Sequence, residues 1–392
     1  MGMARRLKKA AFSGASKDQG INKAKLADLL GNDIKANQFP TQVDVGSQHA
    51  VVQYSFDPEL QAAMEKLFRS YSPDYGAFVV MDVVTGRVLA MVSYSRGNHA
   101  NENLALKATF PTASVFKVVT AAAAIADKNF SPDTLVSFNG RNHTLYRGNV
   151  LKTRITRWTH VITLKEAFAK SINTVFAKIG AFTVGPEELR RFANRFEFDR
   201  PIDSDMPIEE GHAKIPQDPD DAWGLAEAAS GYTQNNTMSP MQGALIASAV
   251  ANDGVMMEPY VIQSVYSADG TPLYSAEPAV ESMAVDGTTA AEIRSLMRET
   301  VLRGTSRHSF RGFFRGPYSV LNVGGKTGSL TGMDPPGKYD WFVGFAEGGT
   351  HRIAVAALTI HKKYWRVKSS YLARKAIEHY FHGKVHGNVA YQ

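Results

Sequence analysis

Ser114 and Lys117 stand three residues apart, directly after Phe110-Pro111-Thr112-Ala113 and at the head of the small apolar run Val118 to Ala126. On a helix, positions i and i+3 share a face, so the lysine amine can reach the serine hydroxyl. A serine backed by its own base can attack an acyl carbon and hold the product as an ester. The same spacing also describes a helix whose serine caps the first turn and whose lysine points to water. Two further groups separate these readings. Lys326-Thr327-Gly328-Ser329 follows Gly324-Gly325 in a strand-like stretch from Val320 to Leu330, and Ser171-Ile172-Asn173 supplies a third element between them. A lone Ser-x-x-Lys carries little weight, whereas three such groups in this order are specific.

The base must be uncharged to accept a proton. A free lysine titrates near ~10.4, and lowering that value by ~3 units takes roughly 4 kcal/mol of environment. Burial beside Phe116 and Val118 disfavours the ammonium, and a second cation at Lys326 acts in the same direction.

The order Ser-x-x-Lys, Ser-x-Asn, Lys-Thr-Gly resembles the transpeptidase domain of penicillin-binding proteins, whose superfamily includes the serine β-lactamases and for which this motif set is known. The resemblance runs from about Ser55 to about Phe381. It is supported by Phe56-Asp57-Pro58-Glu59-Leu60-Gln61, Met81 to Met91, Ser239-Pro240-Met241-Gln242, Ala251-Asn252-Asp253-Gly254 and Asp340-Trp341-Phe342-Val343-Gly344-Phe345. It implies Ser114 as nucleophile, Lys117 as base, Ser171 as proton relay assisted by Lys326, and Asn173 as a ligand of both the substrate carbonyl and Lys117. Lys326, Thr327 and Ser329 would hold the terminal carboxylate of a D-alanyl-D-alanine stem peptide. Gly325 and Gly328 would leave room for close backbone approach. The backbone N–H groups of Ser114 and Ser329 would form the oxyanion hole. No metal or other cofactor is expected. A second Ser-x-Asn, Ser137-Phe138-Asn139, precedes a turn signal at Asn139-Gly140 and is set aside in favour of Ser171.

The implied activity is peptidoglycan D,D-transpeptidation through a Ser114 acyl-enzyme, with β-lactams acylating the same serine. A D,D-carboxypeptidase or β-lactamase remains an alternative. Ser329 stands where transpeptidases more often have threonine, and Thr112-Ala113 where they often have Pro-Gly. Against a lactamase, no Glu-x-x-Leu-Asn segment occurs. A non-catalytic β-lactam sensor or wall-synthesis scaffold is the third reading. The implied partners are stem peptides, β-lactams and a separate glycosyltransferase protein. The implied location is the bacterial cell envelope, outside the cytoplasmic membrane, with an anchor missing or trimmed from this chain.

Composition sets wider bounds. The 392 residues carry a net charge of +7, no cysteine and 44% apolar residues. Disulfides, thiolate metal sites and a cysteine nucleophile are excluded. No apolar run reaches the ~18–20 residues of a membrane span. The positive balance suits an anionic envelope or membrane surface, and no basic helix, RNA-binding signature or zinc spacing argues for nucleic acid. Histidines such as His308, His351 and His361 are read as surface residues.

The expected fold is α+β. Two N-terminal strands around Thr85-Gly86 and three C-terminal strands should form one five-stranded antiparallel sheet, flanked by helices. A mainly helical lobe from the middle of the chain should pack beside it, with the active site between them. Residues 1–54 are expected to be a tail, linker or small pedestal, 55–384 the transpeptidase domain, and 385–392 a tail.

Overall fold

The computed structural model describes residues 21–30, 34–45, 48–97, 102–152 and 155–385. The basic residues Arg5, Arg6, Lys8 and Lys9 and the tail beyond Val385 lie outside the described residues. The central sheet is five-stranded and antiparallel: β1 (Tyr75–Asp82), β2 (Val88–Ser95), β3 (Asn322–Met333), β4 (Pro336–Gly348) and β5 (His351–His361), in the spatial order β3-β4-β5-β1-β2. The chain ends therefore meet in the middle of the sheet, where β5 pairs with β1 in the register Leu358↔Ala77 and Val355↔Val80. The turn between β1 and β2 forms because Asp82 Oδ1 accepts from the N–H of Thr85 at 2.8 Å and Gly86 adopts φ 78°.

Side chains alternate across a strand, yet these strands are apolar on both faces. Ala77, Val79 and Met81 join one core with Leu358, Val343 and the helix Pro240–Ala251, while Phe78 and Val80 join a second core with Phe342, Val355 and the helices Pro58–Tyr71 and Ser369–Phe381. A sheet covered by helices on both faces needs this pattern. Helices from the middle of the chain form the lobe, centred on Lys117–Lys128, whose first nine residues are all buried.

Two features depart from the sequence reading. Ser114 does not cap the long helix. It sits in a preceding 3₁₀ turn, Ala113–Phe116, because Ala113 takes a left-handed φ of 48°. His361 is buried, not on the surface: it ends β5 beneath the 362–368 loop, its Nε2 lies 3.0 Å from the Val367 carbonyl, and its ring stacks on Trp365. Within the stretch read as a tail, linker or small pedestal, strands Gln42–Val45 and Gln48–Tyr54 form a second sheet with Ile262–Ser267 and Pro272–Ser275. Ala50 and Val52 enter the main core there, as do Leu26 and Leu30 of the helix Lys23–Leu30. Among the described residues no helix is long and apolar enough to cross a membrane.

Sheet and lobe are tied by Trp341 of β4. Its indole N–H donates to the carbonyl of Pro111 at 2.9 Å, three residues before Ser114, and the ring is wholly buried. Trp341→Phe should orphan that carbonyl and leave a void, costing about 2–4 kcal/mol. Urea denaturation of the variant measures this; an unchanged midpoint would refute the tie.

Candidate active site

The 3₁₀ turn, the Ser171 turn and β3 converge on one cleft of about 360 Å³. Lys117 opens its α-helix one turn after Ser114, and its Nζ lies 2.7 Å from Ser114 Oγ. The same amine lies 2.7 Å from Asn173 Oδ1 and 3.3 Å from Ser171 Oγ. Lys326 of β3 reaches Ser171 Oγ at 2.9 Å and the carbonyl of Thr327 at 2.9 Å. Ser171 thus bridges the two amines. It holds this position in a left-handed conformation, φ 55°, just after the helix Leu164–Ala169. That helix begins as its capping box requires, with Thr163 Oγ1 accepting from the N–H of Glu166 at 3.1 Å. Asn173 opens the next helix and is oriented from both ends: its N–H donates to the Asn142 carbonyl at 2.9 Å and its Nδ2 to the His143 carbonyl at 3.0 Å.

Lys117 and Lys326 have no exposed surface. Burial lowers Lys117 well below the usual lysine range, and the nearby Lys326 cation adds to the effect. Burial alone lowers Lys326 to about 7. An amine with this surrounding is neutral at a pH where a free lysine is charged, so it can take the Ser114 proton.

Thr327 and Ser329 line the open side of the cleft. Gly328 lies against the nucleophile turn: a Cβ there would sit 3.2 Å from the Thr112 carbonyl oxygen and 3.3 Å from Ser114 N. The strand therefore runs directly beside the Ser114 N–H. Gly325 serves a different purpose from the one expected, since the space beside it is filled by the Phe342 ring, 2.3 Å from where a Cβ would be. The set-aside Ser137 is exposed on the short strand Leu135–Phe138 and does not line the cleft.

Several cleft residues were given no role by the sequence reading, among them His143, Thr305, Asp340 and Lys368, and the exposed His308, read as a surface residue, also lines the cleft. Asp340 faces Ser329 across the β3–β4 hairpin. Its Oδ2 accepts from the Ser369 N–H at 2.7 Å, and Lys368 Nζ lies 3.5 Å from its Oδ1. A buried acid in the apolar stretch Asp340 to Phe345 was the available signal. The others lie in loops whose approach only tertiary structure sets.

An α+β fold whose cleft gathers a serine, two buried amines, an asparagine and a Lys-Thr-Gly strand has the layout expected of active-site serine enzymes. The chain belongs to the family described as the penicillin-binding protein transpeptidase domain, which matches residues 76–378. Peptidoglycan D,D-transpeptidase PbpA of Mycolicibacterium smegmatis is 28% identical over 327 residues, covering 73% of this chain and 62% of the relative. The D,D-transpeptidase domain of a peptidoglycan glycosyltransferase from Eggerthella lenta has a TM-score of 0.67 at 26% identity, covering 85% of this chain and 83% of that one. Penicillin-binding protein A of M. tuberculosis, solved as a penicillin G acyl-enzyme complex, shares the fold with a TM-score of 0.65 at 24% identity, covering 84% and 80%.

Two outcomes follow from this geometry. Gly231 has φ 67°, and a Cβ on it would lie 1.9 Å from the Ala113 carbonyl oxygen. Gly231→Ala should displace the Ser114 turn and slow acylation about 10²-fold, measured as the second-order rate with a fluorescent penicillin. Lys326→Met removes a cation that lowers Lys117, so the amine's pKa rises and its neutral fraction falls at a given pH. The acidic limb of the residual acylation profile should move to higher pH.

Proposed function

We propose that this chain is a peptidoglycan D,D-transpeptidase module acting through Ser114. The observation that carries the reading is the 2.7 Å contact between the Ser114 hydroxyl and a Lys117 amine that is wholly buried. The neutral amine takes the hydroxyl proton as Oγ attacks the carbonyl carbon of the penultimate D-alanine. The developing oxyanion is received by the N–H groups of Ser114 and Ser329. When the C–N bond breaks, the proton from Lys117 passes through Ser171 to the departing D-alanine amine, with Lys326 steadying the relay. An acceptor amine then attacks the ester, its proton returns by the same route, and Ser114 regains its hydrogen. Water in place of the amine would give D,D-carboxypeptidation. Asn173 orients both Lys117 and the substrate carbonyl, while Lys326, Thr327 and Ser329, with Gly328 keeping the strand close, hold the terminal carboxylate.

A β-lactam fits the same machinery: its amide opens on Ser114, and the leaving nitrogen stays tethered. Kinship with a protein named peptidoglycan D,D-transpeptidase supports the substrate class. The reading extends to a location outside the cytoplasmic membrane and a glycosyltransferase partner to make the glycan. Residues 55–384 would form the catalytic unit, with 42–54 a platform on its flank.

Intact-mass spectrometry after incubation with penicillin tests the reading. One adduct is expected, mapping to the peptide with Ser114, absent in Ser114→Ala, and persisting for hours. Rapid loss of the adduct would favour a β-lactamase, and an adduct elsewhere would overturn the assignment.

A further inference from the structure

The segment 134–163 contains five lysines and arginines and no aspartate or glutamate. In its described residues the strand Leu135–Phe138 pairs with His160–Thr163, and the helix Arg147–Leu151, between them in sequence, packs on the helices Asn173–Ile179 and Ala222–Ser230; Arg154 lies outside the described residues. Arg141, Arg147, Lys152 and Arg157 are exposed, and among the described residues none has an ion-pair partner. The same segment exposes large apolar side chains: Ile155 is 86% exposed, Leu135 and Trp158 69%, Tyr146 and Val161 61%. Arg157 places its guanidinium 4.8 Å from the centroid of the Trp158 ring, a cation–π contact.

This segment is joined to the cleft by short hydrogen-bonded steps. Thr159 donates its hydroxyl proton to Asn139 Oδ1 at 2.8 Å. Three and four residues on, the carbonyls of Asn142 and His143 fix Asn173, and His143 lines the cleft itself. His143, which lines the cleft, thus belongs to the same basic segment.

We propose that this segment docks the anionic glycan–peptide polymer whose stem enters the cleft. The inference rests on the function proposed above. Free carboxylates on successive stems complement the unpaired arginines, and the apolar faces of sugar rings match the Trp158 and Tyr146 rings, whose polar edges remain in water. The hydrogen-bonded link from this segment through Asn142 and His143 to Asn173 of the cleft favours the polymer over a lipid surface.

The experiment compares the full chain with Trp158→Ala and Arg157→Glu variants. Both sites are exposed, so thermal unfolding should match the parent. Binding is read by fluorescence anisotropy with soluble, uncross-linked glycan strands that carry pentapeptide stems. Each variant should bind them about tenfold more weakly, as for loss of an aromatic or arginine anchor. The salt dependence of binding should flatten for Arg157→Glu. The rate of Ser114 acylation by penicillin should not change in either. Unaltered polymer affinity in both variants overturns the proposal. So does a loss confined to vesicles of 7:3 phosphatidylcholine and phosphatidylglycerol, which would make the segment a membrane contact. A parent that binds the strands but is never acylated would instead refute the catalytic reading and leave the docking result standing.

Discussion

Two ammonium groups cannot share a dry pocket cheaply, and the site is organised around that constraint. Lys117 and Lys326 both end at Ser171 Oγ, 3.3 Å and 2.9 Å away, with no exposed surface. Desolvation pushes both amines toward the neutral form, and the Lys326 cation adds to the effect on Lys117. Acceptors limit the penalty without cancelling it: Asn173 Oδ1 and the Ser114 oxygen serve Lys117, and the Thr327 carbonyl serves Lys326. None of these carries a charge. The Phe176 ring, 5.9 Å from Lys117, and the Phe168 ring, 5.4 Å from Lys326, offer only weak cationic stabilisation. A carboxylate in either position would favour the ammonium and remove the base. The nearest buried acid of the cleft, Asp340, is instead engaged by Ser369 and Lys368.

The geometry needed for that balance spans three parts of the chain, so it depends on how rigidly they meet. The sheet supplies Lys326 and is packed on both faces, which leaves β3 little freedom to move. The Ser114 turn is clamped between Gly231 on one side and Gly328 on the other, each so close that a methyl group would collide with or crowd the backbone around Ala113. Thr120, one turn into the Lys117 helix, donates its hydroxyl proton to the Ala229 carbonyl at 2.7 Å, fixing that helix to the neighbouring one. Small residues here are what allow backbone and nucleophile to approach; the glycines are spacers as much as hinges.

Much of this was legible in the residues. The i, i+3 spacing of Ser114 and Lys117 survives the change from α to 3₁₀ geometry, since both helices return to the same face after about one turn. Strand order at the two ends of the chain and the Thr85-Gly86 turn were equally plain, because apolar runs bounded by turn residues need no tertiary information. What stayed hidden was set by contacts distant in sequence. Asp340 meets Ser329 only through the hairpin register, His143 reaches the cleft only because Asn173 holds its carbonyl, and His361 is covered only because the loop after β5 folds back. The left-handed backbone of Ala113 and Ser171 was hidden for another reason: neither type favours φ > 0, so their surroundings impose it.

A site assembled this way opposes the fold that holds it. Each lysine would gain a proton and hydration on unfolding, so over the interval between its lowered folded pKa and the ordinary value near ~10.4 the unfolded chain binds more protons. Stability from these two groups therefore rises with pH across that interval; for Lys326 it begins near about 7. The same protonation that would quench the base also loosens the scaffold. Core packing on both sides of the sheet must offset this strain, which explains why the most deeply buried strands lie next to the residues that would do the chemistry. Stability here is not separate from reactivity: the cores that bury the amines also make one of them a base.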